Sequence, residues 1–413
     1  MFRITPRRRN ASRPTLYDID STTHHGGRPR EDPLPHASTR RSDRPQLRAF
    51  SEGKNTVSSA GSSGCRMHDP WTEVTIVGAG GIGCALGHAL LSGGVEVTFV
   101  ERDPAKLEWG RQHGVKVDED PPLHAAFIPF DGWRPSPTDL ILLCTKCYDN
   151  GDVLERAPRS ARIIPVQNGF DSALVDRVEV EGIASFVTEC FPGRTHTRIT
   201  RPGGLYIGFS VAANGRTLPK SLETLVGALE RKGKLAVRRV PEVLPYKNTK
   251  LMYNAAISPI AAVAGFDNGQ LLTIRTARAL FFALIRENYE ILQRAGAPLA
   301  KIGPFHPDTV DRLLRLPLVA RLLAIPFART LRGTYCSMAG DLPNGPTELD
   351  NYNGYLLELA GNRICPINRA VYRLARWIER EGLSPKRRWL DELVAAVSEA
   401  ERPGPSLGEV NSG

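Results

Sequence analysis

Lys250, Asn254 and Ser258 stand at i, i+4 and i+8 in the segment KLMYNAAISPIAAVAG, so on a helix they share one face. Their neighbours Leu251, Met252, Ala255, Ala256, Ile257 and Ile260 are apolar, which predicts a helix buried over most of its surface. A buried ammonium is costly unless something partners it. Two readings stay open from this segment alone. The partner is an anionic or carbonyl-bearing ligand, or the lysine belongs to a solvated polar face or an internal ion pair.

Upstream, in VTIVGAGGIGCALGHALLSGGVEVTFVERD, the apolar run Val74 to Val77 reads as a buried parallel strand. Gly78, Ala79, Gly80, Gly81, Ile82 and Gly83 follow in the G-x-G-x-x-G form, and then a helix-like stretch from Cys84 to Leu91. A second strand, Val95 to Val100, ends in Glu101-Arg102-Asp103. Gly78 permits the tight turn, Gly80 lets backbone approach a pyrophosphate, and Gly83 lets helix and strand pack closely. The pyrophosphate then meets free N–H groups and the positive end of the helix dipole. A lone glycine pattern says little; between a strand and a helix, with an acid at the end of the next strand, it points to a dinucleotide. Glu101 suits the ribose hydroxyls of NAD, whereas Arg102 suits the 2′-phosphate of NADP. The residue types leave that choice open.

Other strands bring further polar groups to the same rim. Leu140 to Leu143 reads as a buried strand ending in Cys144-Thr145-Lys146-Cys147, and Arg162 to Val166 as another ending in Gln167-Asn168-Gly169. The C-x-x-C has no second cysteine pair or histidine at zinc spacing, so it reads as structural and no metal site is expected. Lys146 and Asn168 fall at carboxyl ends of strands, where doubly wound sheets bind ligands; Asn168 before Gly169 also suits a simple left-handed turn. GGLYIG, residues 203–208, reads as a late strand, and Leu222 to Glu230 as the last helix of this half.

From Glu242 onward strand signals nearly vanish. Apolar residues recur at helical spacing through Leu280–Leu292, Tyr355–Ala360 and Ala370–Ile378. The expected fold class is therefore an N-terminal Rossmann-type doubly wound α/β sheet, residues 71–240, followed by an all-helical domain, residues 241–400. A ligand would lie in the cleft between them. In TYCSMAGDLPNGPTELDNYNGYLLELA, Ser337 and Glu348 flank the breaker run Leu342-Pro343-Asn344-Gly345-Pro346. Thr347 to Asp350 reads as a helix start, with Thr347 or Asp350 as cap and Glu348 in a first turn that also suits an anion.

The chain has 413 residues, 41% of them hydrophobic, which is enough for two cored domains. Its net charge of +10 is concentrated at one end: residues 1–70 hold 13 Lys and Arg against 7 Asp and Glu. That extension has few large apolar residues and no periodicity and is expected to be disordered, as is the tail 401–413. Met67 opens MHDPWTEVTIVGAGGIG and reads as an alternative start. The rest of the chain is only mildly basic, so no specific nucleic-acid partner is expected. Seven irregularly spaced cysteines fit a reducing compartment, and cytoplasmic location is the expectation. No membrane association is expected: the best apolar stretch, Leu316 to Leu331, is interrupted by Arg321 and Arg329 and reads as an amphipathic or domain-packing helix.

GAGGIG, LLCTK, QNG, K-x-x-x-N-x-x-x-S-P, and SM-x-x-D followed by TELDNYNGYLLELA together resemble the ketopantoate reductases, in consistent order over roughly residues 72–385. The resemblance implies NADPH-dependent reduction of ketopantoate (2-dehydropantoate) on the way to pantothenate. It implies Lys250 as the catalytic lysine, Asn254 and Ser337 as substrate ligands, and Glu348 as an acid near substrate and nicotinamide. Lys146 and Asn168 fall at cofactor- and substrate-contacting positions. Ser258 stands where the family commonly has a second asparagine and is expected at the far end of the substrate. NADP(H) is thus the expected cofactor, with NAD(H) allowed by Glu101, a small 2-keto acid the partner, and a monomer or homodimer the state. Two rivals are kept: a related 2-keto acid reductase or opine or hydroxy-acid dehydrogenase, which would use a histidine, and a non-catalytic dinucleotide sensor.

Overall fold

The computed structural model describes residues 73–211, 216–231, 235–342 and 344–400. The expectations for the extension 1–70, for Met67 and for the tail 401–413 lie outside the described residues, as does Pro343.

The N-terminal half alternates strand and helix. It comprises β1 (Glu73–Val77), α1 (Gly81–Ser92), β2 (Glu96–Glu101), α2 (Pro104–His113), β3 (Lys116–Val117), β4 (Ala126–Pro129), β5 (Leu140–Leu143), α3 (Asn150–Arg156) and β6 (Arg162–Pro165). Five of these strands form a parallel sheet in the order β4-β2-β1-β5-β6, with the glycine-rich turn at its centre. β5, read LILL, is buried at all four positions, as a central parallel strand must be. Asp103 caps α2 by accepting from the Ala105 N–H, with Pro104 at the first helical position.

The sheet then departs from simple doubly wound order. β7 (Val180–Ala184), β8 (Val187–Cys190), β9 (His196–Arg201), β10 (Gly204–Phe209), α4 (Lys220–Arg231) and β11 (Ala236–Glu242) complete this half. The expected late strand is β10, but it pairs antiparallel with β7 and parallel with β11 in a separate three-stranded sheet. A parallel bridge between Val166 and Gly182 continues that sheet from β6. A second small sheet, β3-β9-β8, packs on α1. β10 was legible as a buried strand, but its partners were not, and β8, β9 and β11 are partly exposed without strict alternation.

Among the described residues no strand follows β11. α5 (Leu244–Ala264), α6 (Asn268–Thr273), α7 (Arg275–Arg294), α8 (Pro307–Leu314), α9 (Pro317–Leu331) and α10 (Ser337–Asp341) come first. A π-helical turn, Asp350–Gly354, then runs into α11 (Tyr355–Ala360), and α12 (Pro366–Arg380) and α13 (Arg388–Ala400) close the domain. α5 is its axis, closed by Gly265 in the left-handed region at φ 69°. Pro259 interrupts it, so the Ala255 carbonyl lacks its usual helical donor. The Asn353 side-chain amide supplies the substitute at 2.9 Å. Asn353 also donates to Asn368, Asn368 to Asn288, and Asn288 to the Met252 carbonyl, all fully buried. This asparagine chain ties α5, α7, α12 and the π-turn together.

The segment after Glu348 corrects the expected regular helix start. Thr347 does serve as a cap, accepting from the Leu349 N–H at 3.4 Å, but Asp350 does not. Asp350 instead accepts from the Tyr372 hydroxyl at 2.6 Å and pairs with Arg376. α9 is amphipathic in an inverted sense. Ala320, Ala324 and Ala328 face the core, while Leu318, Leu322 and Ile325 are 77%, 67% and 50% exposed. No helix among the described residues is long and apolar enough to cross a membrane.

Candidate active site

The glycine-rich turn leaves β1 at Gly78, whose φ of +100° suits glycine. A Cβ there would lie 2.9 Å from the Thr145 nitrogen, just past the end of the neighbouring strand β5. A Cβ at Gly80 would meet nothing within 4 Å, so the approach above the turn is open. α1 begins at Gly81 with no side-chain cap and no acid in its first turn, leaving the N–H groups of Gly81, Ile82 and Gly83 for an anion. These features fit a dinucleotide pyrophosphate.

Glu101, at the end of β2, turns its carboxylate back onto the turn. Oε2 accepts from the Ala79 N–H at 2.8 Å, and Oε1 accepts from the N–H groups of Arg102 and Asp103 at 2.8 and 3.1 Å. Arg102 pairs with Asp149 at 3.0 Å and Asp152 at 2.5 Å, its guanidinium 4.1 Å from the Phe130 ring centre. Glu101, Arg102, Phe130, Asp152 and Arg156 line a cavity of about 550 Å³. Both residues that bear on cofactor choice are therefore already engaged by the protein.

A second cluster joins the sheet rim to the helical half. Lys146, after β5, reaches Asp341 of α10 at 2.9 Å and Glu348 at 3.5 Å. Glu348 is 4% exposed; it accepts from the Cys147 N–H at 3.3 Å and from the Tyr352 hydroxyl at 3.2 Å. Burial alone would lower the Lys146 ammonium, but the Glu348 and Asp341 carboxylates outweigh it and hold the group above its ordinary value. Burial pushes the Tyr352 phenol well up, with Glu348 adding to the effect.

Beside this cluster α5 is fastened to β7. Lys247 pairs with Glu181 at 2.8 Å and sits 4.7 Å from the Phe170 ring centre. Lys250, one turn on, donates to the Ala184 carbonyl. Burial pushes the Lys250 ammonium down to about 8, against an upward pull from Glu348. Asn254 is half-buried and makes no side-chain hydrogen bond among the described residues, and Ser258 is buried one turn further along. After β6, Gln167 is tied to Thr145 and Asn150, whereas the buried Asn168 Oδ1 has no hydrogen-bond partner. Two lone donor-and-acceptor amides and a depressed ammonium are what a bound oxyanion or carbonyl would use.

Lys146 and Glu348 are thus in contact, and Lys250 lies in the field of Glu348. Ser337 is exposed at the start of α10; its neighbour Cys336 donates its thiol to the Ser258 carbonyl at 3.5 Å. Sequence reasoning missed Lys247, Tyr352 and the pairing of Asp341. The i, i+4 spacing of Glu348 and Tyr352 was a usable signal; nothing local marked the other two. The C-x-x-C thiols are unpaired, and among the described residues no group of His, Cys, Asp and Glu could hold a metal. His88 contacts the Pro121 carbonyl, His113 the Trp109 carbonyl, and His306 caps α8, so these histidines are engaged elsewhere.

Comparison with known proteins bears on both halves. The family described as "Ketopantoate reductase PanE/ApbA" matches residues 74–210, and "Ketopantoate reductase PanE/ApbA C terminal" matches residues 242–379. A 2-dehydropantoate 2-reductase of Pyrococcus horikoshii is 25% identical over 341 residues, covering 75% of this chain and 98% of that protein. The structure of a PanE/ApbA family ketopantoate reductase from Ralstonia eutropha JMP134 aligns with TM-score 0.59 at 22% identity, over 75% of this chain and 99% of that one. A D-mandelate dehydrogenase in ternary complex with NADH and anilino(oxo)acetate aligns with TM-score 0.57 at 16% identity, over 79% and 98%. These structural likenesses speak for the fold.

Proposed function

We propose that this chain, which belongs to the ketopantoate reductase family and is an oxidoreductase, reduces 2-dehydropantoate to (R)-pantoate with a nicotinamide dinucleotide as reductant. The observation that carries this reading is Lys250: an ammonium lowered to about 8, aligned on α5 with Asn254 and Ser258, and facing no carboxylate in direct contact. A proton donor with such a value is charged at neutral pH yet gives up its proton readily.

When bound, the nicotinamide supplies the hydride that reaches the 2-keto carbon. The chain's residues do the rest. Lys250 polarises the ketone oxygen and protonates the nascent alkoxide. Asn254, with Ser258 and Ser337, holds the substrate's carboxylate and hydroxyl. Glu348 keeps Lys250 charged through space and fixes Lys146 at the rim, where Lys146 and Asn168 contact cofactor and substrate. Gly78 to Gly83 receive the pyrophosphate on the α1 N-terminus.

Family membership favours NADP(H), but the local geometry favours NAD(H). A 2′-phosphate would approach the Glu101 carboxylate and compete with Asp149 and Asp152 for Arg102. The outward apolar face of α9 supports the homodimer over the monomer.

An assay of dinucleotide oxidation at 340 nm, with 2-dehydropantoate and NADPH or NADH, tests the reading. Turnover with one cofactor preferred supports it. Dinucleotide binding without turnover sinks it in favour of another 2-keto acid or a sensor.

A further inference from the structure

Ala79 sits at the centre of the glycine-rich turn, and its carbonyl oxygen receives two thiols. Cys84 Sγ, in the first turns of α1, donates at 3.4 Å, and Cys190 Sγ, at the end of β8, lies 3.9 Å from the same oxygen. Both thiols thus converge on one carbonyl oxygen, and each perturbs the other, raising the Cys84 thiol and lowering that of Cys190. β8 packs hard against this part of α1: a Cβ on Gly81 would fall 2.3 Å from Thr188 Oγ1. Cys84 is fully buried, whereas Cys190 is half-buried and open to a small reagent.

We propose that Cys84 and Cys190 are a redox pair whose reversible disulfide disables the dinucleotide-binding turn. The proposal rests on the reading of Gly78 to Gly83 as a pyrophosphate cradle. Geometry assigns the roles: Cys190 meets the oxidant and Cys84 resolves. Chemistry agrees. The neighbouring Cys84 thiol and then the Lys106 ammonium hold the Cys190 thiol below its ordinary value, against the opposing effect of burial. Cys144 is pushed up to about 12 and Cys336 to about 11 by burial, so both stay thiols.

With a hydroperoxide as oxidant, the Cys190 thiolate attacks the terminal peroxide oxygen. The O–O bond breaks, the alkoxide leaves and takes up the proton that the Cys190 thiol released, giving an alcohol (water when the oxidant is hydrogen peroxide), and Cys190 becomes a sulfenic acid. Cys84 then attacks the Cys190 sulfur, and the S–O bond breaks. The departing hydroxide takes the Cys84 proton as water. Two thiols and one hydroperoxide give one disulfide, one alcohol and one water. A dithiol reverses the reaction by exchange, as expected of a sensing pair in a reducing compartment.

The consequence follows from Ala79. Its N–H braces Glu101, and its carbonyl accepts from Cys84 at 3.4 Å, with Cys190 3.9 Å from the same oxygen and 3.4 Å from the Arg194 carbonyl. Bridging the sulfurs removes the Cys84 donor from that carbonyl and draws β8 onto the turn, displacing the N–H groups that meet a pyrophosphate.

The experiment treats the full chain with hydrogen peroxide and reads two things separately. Mass spectrometry of unreduced digests reads the bridge, and NADPH and NADH titration reads binding. The expected result is a peptide linking Cys84 to Cys190, with dinucleotide affinity at least ~10-fold weaker, both reversed by dithiothreitol and both absent in Cys190→Ser. Cys84→Ala should give Cys190 sulfinic acid instead of the bridge. Failure of the wild-type protein to link the two cysteines, or linkage with unchanged affinity, overturns the proposal. Linkage in a protein whose reduced form binds no dinucleotide overturns the cradle reading, and the switch with it.

Discussion

Lys250 differs from its neighbour Lys247 in one respect that decides their roles. Lys247 has a carboxylate at 2.8 Å and is a strut between α5 and β7. Lys250 has a neutral carbonyl and only the distant field of Glu348, so burial dominates. Replacing Lys250 by Ala should lower turnover at least ~100-fold while leaving dinucleotide affinity nearly intact; steady-state kinetics beside a binding titration checks this, and a mild loss would end the assignment. The direction of its shift also sets a pH dependence. As pH rises through about 8, Lys250 loses its proton and kcat/KM should fall. Glu348 raises the Lys250 value, so Glu348→Gln should move that alkaline limb to lower pH. An unmoved limb would mean that Glu348 does not act on Lys250.

Elements make these residue properties possible. Pro259 frees the Ala255 carbonyl, and the π-turn Asp350–Gly354 brings Asn353 to satisfy it. Asn353→Ala leaves that carbonyl buried without a donor and breaks the asparagine chain, so urea unfolding should show a loss of about 1–3 kcal/mol. A change within experimental error would show that the chain is not a stabilising network. The loop after β5 and α3 has a separate role at the other end of the rim, where Asp149 and Asp152 hold Arg102. Neutralising both, as Asp149→Asn with Asp152→Asn, should free the guanidinium for a 2′-phosphate and raise NADPH affinity relative to NADH by about 10-fold. An unchanged ratio of the two dissociation constants would place cofactor choice elsewhere.

Across the whole molecule, two halves with separate cores meet at Lys146, Glu348, Lys250 and Phe170. Phe170 stacks on Tyr355 with ring centres 4.3 Å apart, and its backbone pairs with Asn351. The surface carries one further asymmetry, the outward leucines of α9. Sedimentation should show a dimer for the wild type and a monomer for Leu318→Glu with Leu322→Glu. Equal sedimentation of the two would assign the face to something other than a second copy.

Short-range patterns carried what the sequence determined. The run from β1 through the glycine turn to α1, the buried strand β5, α5 with its stripe of Lys250, Asn254 and Ser258, and the change from strand to helix near Glu242 all rest on local propensity and period. Glycine conformation and hydrophobic burial act over a few residues, so they can be read there. Only the tertiary structure decided which polar groups became partners. Lys146 and Asp341 are 195 residues apart, Cys147 and Glu348 201, and Lys250 and Ala184 66. It also turned the alanines of α9 inward and its leucines outward, a choice that composition leaves open because alanine and leucine both suit a helix. Side-chain electrostatics depend on distance in space, and distance along the chain does not predict it; this is why Lys250 could be singled out as a candidate from its stripe, but its lowered value of about 8 could not.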